Sequence, residues 1–125
     1  MKLALVIERD AESVKLLKAI LERWDFAISS ATSTAEAMDM IRAVRPHVIL
    51  CDIAAPITEA FTFIREIRSS PDDRLSTMPV IATTTLYEDI DDRTARAAGF
   101  DIFLRKPLDP EMLPYIIGLL VSGTR

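Results

Sequence analysis

Four polar side chains suited to phosphoryl chemistry stand at or directly after short apolar runs of this sequence. They are Glu8, Asp52, Thr84 and Lys106. Asp52 is a candidate nucleophile, because an aspartate carboxylate can form an acyl phosphate. The lysine ammonium and the threonine hydroxyl can hold phosphoryl oxygens, and a hard cation bound by carboxylates can neutralise the charge that develops. These residue types predict a phosphoryl-transfer site, provided that the fold brings them together.

The apolar runs are predicted to be strands that deliver these side chains to one edge of a sheet. Buried parallel strands are apolar almost throughout their length. The predicted strands are Leu3–Ile7, Phe26–Ala31, His47–Asp52, Pro79–Thr84 and Ile102–Leu104. In open α/β sheets the ligands bind beyond the carboxyl ends of the strands. The four polar residues fall at such ends.

Segments with helical spacing separate the predicted strands. The five predicted helices follow Asp10, open at Ser33 or Thr34, contain Phe61 to Ile67, run from Glu88 to Ala98, and run from Glu111 to about Val121. Residues 69–73 are polar and are predicted to form an irregular connection. This alternation predicts an α/β fold, with one doubly wound, flavodoxin-like parallel sheet of five strands in the order 2-1-3-4-5. We expect a single domain over residues 1–125.

Composition narrows the possible partners and the compartment. The chain has 125 residues, of which 50% are hydrophobic, and a net charge of -4. This charge argues against nucleic acid as a direct partner, because phosphate binding requires a basic surface. The single cysteine, Cys51, excludes an internal disulfide and a cysteine-based zinc cluster. The sequence shows neither a signal-peptide pattern nor an apolar stretch of membrane-spanning length, so we expect a cytoplasmic protein without a membrane partner.

Four segments carry a resemblance to a known family. They are Leu5–Glu8, Val48–Pro56, Pro79–Thr84 and Ala98–Pro107. In order and spacing, the chain resembles the receiver domain of bacterial two-component response regulators along essentially its whole length. The segments resemble, in turn, the acidic end of the first strand, the phosphoacceptor strand with its proline loop, the strand ending in a switch hydroxyl, and the last strand with its Lys-Pro.

The resemblance implies a signalling domain rather than an enzyme. It implies that Asp52 accepts a phosphoryl group from a histidine kinase or phosphotransfer protein, and that a downstream effector protein reads the result. It also implies that Thr84 senses the phosphoryl group, that Phe103 is the switch aromatic, and that Lys106 is a phosphoryl ligand. A cis peptide at Lys106–Pro107 is expected from the resemblance as well.

The resemblance further implies a magnesium ion held by Glu8, Asp52 and the backbone carbonyl of Ala54. The family usually has two adjacent acids at this point, whereas this chain has Glu8 followed by Arg9. A guanidinium cannot ligate a metal, and it could instead pair with Asp52. Asp10 can replace the missing ligand only if the loop bulges by one residue. The expected magnesium site is therefore impaired.

Two other functions stay open at this point. One is a phosphorylation-independent pseudo-receiver, which uses the same fold as a protein-interaction module with Arg9 in place of metal and phosphate. The other is a small flavodoxin-like ligand binder, which is disfavoured because no glycine-rich phosphate loop follows the first strand. The last predicted helix has more than one apolar stripe, which suggests a homodimer through that helix.

Overall fold

The fold is built on one parallel sheet. The computed structural model describes residues 1–54, 57–85 and 90–122. The strands are β1 (Lys2–Ile7), β2 (Phe26–Ala31), β3 (Val48–Asp52), β4 (Val80–Thr84) and β5 (Ile102–Arg105). Their order across the sheet is β2-β1-β3-β4-β5, and all neighbouring strands are parallel. The predicted fold class and strand order are confirmed.

Six helices accompany the sheet in the described residues, so the prediction of five helices was wrong. They are α1 (Ala11–Glu22), α2 (Thr34–Val44), α3 (Thr58–Arg68), α4 (Asp73–Ser76), α5 (Asp92–Ala98) and α6 (Met112–Val121). The additional helix, α4, is a single turn that begins within the segment predicted to be irregular. The Asp72 carboxylate accepts a hydrogen bond of 3.0 Å from the Arg74 N–H. This cap explains why so short and polar a segment is helical.

Several helix ends follow the signals in the sequence. Ser33 caps α2 by accepting the N–H of Glu36 at 3.1 Å. Helix α2 ends at Val44 and is followed by its cap residue Arg45, which has a φ of 53° and precedes Pro46. Helix α5 begins later than predicted, because the Asp91 side chain caps it by accepting the N–H of Thr94. Two other predicted features, the loop residues Ala55–Pro56 and the helix start at Glu88–Asp89, lie outside the described residues.

The hydrophobic core has two parts, one on each face of the sheet. Successive strand residues point to opposite faces, so Leu5, Ile7 and Ile49 pack on the side of α2, α3 and α5. Val6 and Leu50 pack on the other side, against α1 and α6. Within the described parts of the chain, no helix combines the length and apolarity needed to cross a bilayer. Because helices pack on both faces of the sheet, the polar residues lie at its carboxyl edge.

Candidate functional site

The strand register brings the predicted site residues to one edge of the sheet. Asp52 is the last residue of β3 and lies opposite Thr83 of β4. Glu8 directly follows β1, which is the other neighbour of β3. Lys106 directly follows β5, and its N–H donates to the Thr84 carbonyl at 2.9 Å. The end of β4 and the residues that directly follow β1 and β5 therefore surround Asp52.

Lys106 bridges the two carboxylates at this edge. Its Nζ lies 2.5 Å from Glu8 Oε1 and 2.9 Å from Asp52 Oδ1. The side chains are only 19%, 5% and 16% exposed for Lys106, Glu8 and Asp52. The Lys106 ammonium thus lies between two sheltered carboxylates and offsets the repulsion between them.

Burial governs the ionisation of this cluster. It raises the pKa of Asp52 above the usual 3.8, and the neighbouring Glu8 adds to the effect, while the contacts with Lys106 and Thr83 oppose it. Burial lowers the pKa of Lys106, but its bonds to the two carboxylates outweigh this and raise it above 10.5. Lys106 is therefore a cation at neutral pH.

The hydroxyl nearest to Asp52 belongs to Thr83. Thr83 Oγ1 donates a long hydrogen bond of 3.4 Å to Asp52 Oδ1. The predicted switch hydroxyl, Thr84 Oγ1, donates to the Ile53 carbonyl at 3.0 Å, and its side chain is fully buried. Both threonines end the same strand, so the sequence could not distinguish which one faces the carboxylate. In this structure Thr84 is one step removed from Asp52, through the backbone of the next residue.

The predicted switch aromatic, Phe103, lies in the middle of β5. It is partly buried, and it packs against the core cluster on the side of α2, α3 and α5. The guanidinium carbon of Arg105 lies 5.2 Å from the centroid of the ring, which is within the range of a cation–π contact. Arg105 also donates to the Ile90 carbonyl at 3.4 Å. The ring is thus connected to the chain that precedes α5.

Arg9 pairs with an acid that the sequence reasoning missed. Its Nη2 lies 3.2 Å from Glu59 Oε2, and the two side chains are 61% and 50% exposed. The sequence allowed a pair between Arg9 and Asp52, but the structure pairs Arg9 with Glu59. No local signal could have found this contact, because the partners are 50 residues apart. Arg9, Glu59 and Asp52 nevertheless line one cavity of about 30 Å³, together with Glu8 and Ala54.

Asp10, the candidate replacement ligand, serves as the cap of α1. Its Oδ2 accepts bonds from Ser13 Oγ at 2.7 Å and from the Ser13 N–H at 3.2 Å. These bonds lower the pKa of Asp10. The Asp10 N–H donates to Glu8 Oε2 at 3.2 Å, so both oxygens of Glu8 are engaged.

The donor set does not fit a magnesium ion. Magnesium requires a near-octahedral arrangement of oxygen ligands. Across residues 1–54, 57–85 and 90–122, no group of three or more acidic, histidine or cysteine side chains is placed to hold a metal. Glu8 and Asp52 share the Lys106 ammonium, and the adjacent Arg9 adds a second cation to the cavity rather than a ligand.

Comparison with known proteins gives a consistent result. Residues 4–117 match the model of the response regulator receiver domain. The chain is 30% identical over 106 residues to an uncharacterised protein of Leptolyngbya boryana, covering 85% of this chain and 79% of that protein. It is 27% identical over 119 residues to Protein PilH of Pseudomonas aeruginosa, covering 95% and 97% of the two chains.

A solved structure shares the fold. The receiver domain of a sensor histidine kinase from Pseudomonas aeruginosa, solved with magnesium in its active site cleft, has a TM-score of 0.83 and 21% identity, covering 98% of each chain. Other relatives are longer proteins. The chain spans 46% of the response regulator GraR of Staphylococcus haemolyticus and 42% of the response regulator Rre1 of Synechocystis.

Proposed function

Since this chain belongs to the response regulator receiver domain family of two-component signalling, we propose that it accepts a phosphoryl group on Asp52. The proposed donor is a histidine kinase or phosphotransfer protein, and the proposed compartment is the cytoplasm. The family consists of signalling domains rather than enzymes. The contact of Lys106 with both Glu8 and Asp52 is the observation that carries the proposal. It supplies a cation beside a sheltered carboxylate, as phosphoryl transfer requires.

The two oxygens of Asp52 have different surroundings. Lys106 and Thr83 contact Oδ1. In the described part of the chain, no hydrogen-bond donor is bound to Oδ2. We assign Oδ2 as the attacking atom. Its lone pair forms the new O–P bond while the P–N bond of the donor phosphohistidine breaks, and the imidazole nitrogen keeps the bonding pair.

The proposed response begins at the residues around the new phosphoryl group. Phosphorylation replaces the single negative charge of Asp52, next to Lys106, by about two negative charges on the phosphoryl oxygens. The Thr84 hydroxyl would then turn from the Ile53 carbonyl to the phosphoryl oxygens. This movement of Thr84 would open space next to β5, where Phe103 lies. Such a switch works by biasing two packings of one element. A downstream effector protein would read the altered surface.

Intact mass spectrometry tests the proposal directly. The protein is incubated with a small phosphodonor such as phosphoramidate, with and without magnesium, and weighed. We expect a gain of one phosphate that is lost in Asp52→Ala. The control is Asp39→Ala, which removes an exposed carboxylate of α2 and should retain the gain. A wild-type protein that gains no mass in either buffer contradicts the proposal.

The ion pair between Arg9 and Glu59 favours a second function, a phosphorylation-independent pseudo-receiver. Here the paired Arg9 stands in the cavity in place of a metal ion, and the domain binds partners constitutively. This function predicts no mass gain and no effect of magnesium on the fluorescence of Trp24, the single tryptophan. It also predicts that Asp52→Ala leaves partner binding unchanged, whereas the first function predicts that phosphorylation alters it.

A further inference from the structure

The ion pair between Arg9 and Glu59 stands beside Asp52 and is easily broken. The Arg9 side chain is 61% exposed and the Glu59 side chain is 50% exposed. Exposed ion pairs contribute little net stability, because water and salt screen them. The same two side chains line the cavity that contains Asp52. Arg9 is therefore a cation near Asp52, and Glu59 binds it only weakly.

Lys106 alone is poorly placed to balance a phosphoryl group. Its ammonium already contacts Glu8 and Asp52, and Glu8 is the more deeply buried of the two carboxylates. Phosphorylation of Asp52 replaces one negative charge by about two. The cavity also contains Glu59. The charge that develops at Asp52 therefore calls for a second cation at this edge.

We propose that Arg9 is a phosphoryl-binding residue that exchanges its partner. In the unmodified protein it binds Glu59, and in the phosphorylated protein it leaves Glu59 and binds the phosphoryl oxygens on Asp52. The planar guanidinium suits this ligand, because it can donate two parallel hydrogen bonds to phosphoryl oxygens. The inference rests on the proposed phosphorylation of Asp52 and assigns the cation for that step to the chain itself.

Two consequences distinguish this arrangement from a metal site. Phosphorylation should proceed in the presence of a chelator, because Arg9 supplies the positive charge. Glu59 should slow the reaction, because it competes with the phosphoryl group for Arg9. Glu59 would inhibit and Arg9 would promote the same step through one ion pair. The effect of removing Glu59 should therefore depend on the presence of Arg9.

The test measures the rate of mass gain with phosphoramidate in a chelating buffer. Arg9→Gln should phosphorylate at least about tenfold more slowly than the wild type, because it loses one charged donor to the phosphoryl oxygens. Glu59→Gln should phosphorylate about two- to fivefold faster, which is the small factor expected for release from an exposed ion pair. In the double variant that carries Arg9→Gln and Glu59→Gln, the Glu59→Gln substitution should not change the rate further, because Arg9, which Glu59 binds, is absent.

Arg9→Asp gives a second, independent measurement. It places a third carboxylate beside Glu8 and Asp52, so magnesium should accelerate its phosphorylation by about tenfold or more, while the wild type should respond little. A wild type that reacts only with magnesium and an unimpaired Arg9→Gln would overturn the inference and leave phosphorylation of Asp52 intact. Equal rates for Arg9→Asp with chelator and with magnesium would also overturn it. No mass gain under any condition would remove the proposed function and the inference together.

Discussion

Lys106 and Arg9 serve the acids at the sheet edge in different ways. Lys106 is sheltered and binds two carboxylates, so its removal would leave two like charges in a place with little water. Arg9 is exposed and binds one carboxylate, so it can be moved at little cost. A fixed cation and a movable one are thus found within one small site. This difference in burial favours a structural role for Lys106 and fits the exchange of partners that we propose for Arg9.

Burial of the ionised Asp52 carboxylate lowers the free energy of unfolding at neutral pH. Because burial raises the pKa of Asp52 above 3.8, the folded state binds a proton more readily than the unfolded state. The contribution of this group to stability is therefore greatest in acid and declines as the pH rises through the folded pKa. We expect Asp52→Asn to unfold at higher urea concentration than the wild type at neutral pH, by about 1 kcal/mol, as is common for functional residues.

The pH dependence provides the check on this prediction. The advantage of Asp52→Asn should shrink in mild acid and vanish below the unfolded pKa, where the wild-type carboxyl is protonated in both states. Asp39→Asn, on the exposed surface of α2, is the control and should change stability little. An Asp52→Asn protein that is less stable than the wild type at neutral pH would show that the Lys106 contact outweighs desolvation.

At the residue scale, the sequence predicts which side chains meet at the strand ends. It does not predict contacts with side chains on helices and loops. Asp52, Glu8 and Lys106 could be brought together in advance, because parallel strands place their ends at one edge. Glu59 could not, since it lies in the first turn of α3, 50 residues from Arg9 along the chain. His47 was missed for a similar reason. Its Nδ1 accepts the Leu3 N–H at 3.0 Å, which requires the register of β1 and β3.

Among the elements, α3 is hydrogen-bonded to its neighbours through Arg68, at its carboxyl end. Within the described residues, Arg68 donates to four acceptors at distances between 2.7 and 3.2 Å. They are the carbonyl oxygens of Ser76, Met78 and Gly99 and the carboxylate of Asp101. Asp101 also accepts the Val80 N–H at 2.8 Å. One guanidinium thus joins the ends of α3, α4 and α5 to the start of β4.

Loss of this guanidinium should destabilise the protein strongly. Arg68→Met keeps most of the apolar stem but removes the Arg68 donor from several partly buried carbonyl acceptors and from the Asp101 carboxylate, at a cost of about 2–4 kcal/mol. Arg65→Met is the matched control, because Arg65 lies on the exposed surface of the same helix and should change stability by less than about 0.5 kcal/mol. Urea denaturation monitored by circular dichroism measures both. Equal effects of the two substitutions would show that the Arg68 contacts contribute little.

Two glycines should respond to the same substitution with opposite sign. Gly99 ends α5 with a φ of 125°, and a Cβ there would lie 3.0 Å from Arg68 Cγ and 3.2 Å from Ile64 Cγ1. Gly118 is inside α6, and a Cβ there would meet nothing within 4 Å. Gly99→Ala should cost about 1–3 kcal/mol, whereas Gly118→Ala should add about 0.5–1 kcal/mol through helix propensity. Thermal unfolding distinguishes them, and a stabilised Gly99→Ala would contradict the strain assigned to that position.

The elements themselves were largely predictable, because apolar runs and helical spacing are properties of short segments. The exception, α4, has no apolar stripe and forms because Asp72 caps it and because Arg74 and Met78 tie it to the rest of the chain. Arg74 Nη2 donates to the Arg45 carbonyl at 3.0 Å, and Met78 is buried in the core. Contacts between distant segments decide such a turn, and they have no counterpart in the local sequence.

At the scale of the whole molecule, helix α6 leaves an apolar surface uncovered within the described residues. Helix α6 buries Leu113, Pro114 and Ile117 against the sheet. On its outer side, Met112, Tyr115 and Leu119 are 50%, 59% and 56% exposed. Their spacing of three and four residues puts them on one stripe of the helix. A continuous apolar stripe on the surface is typical of an interaction site, and we propose that a second copy of the chain covers it.

The proposed dimer should be weak and should depend on α6. Three large side chains per copy make a small interface, so the wild type should associate reversibly as its concentration rises. Leu119→Lys puts a charge at the centre of the stripe and should raise the dissociation constant by about tenfold or more. Leu16→Lys is the control, because Leu16 is equally exposed but lies on α1. Sedimentation or light scattering measures the mass, and a wild type that stays monomeric at high concentration would exclude the dimer and leave the stripe to a different partner.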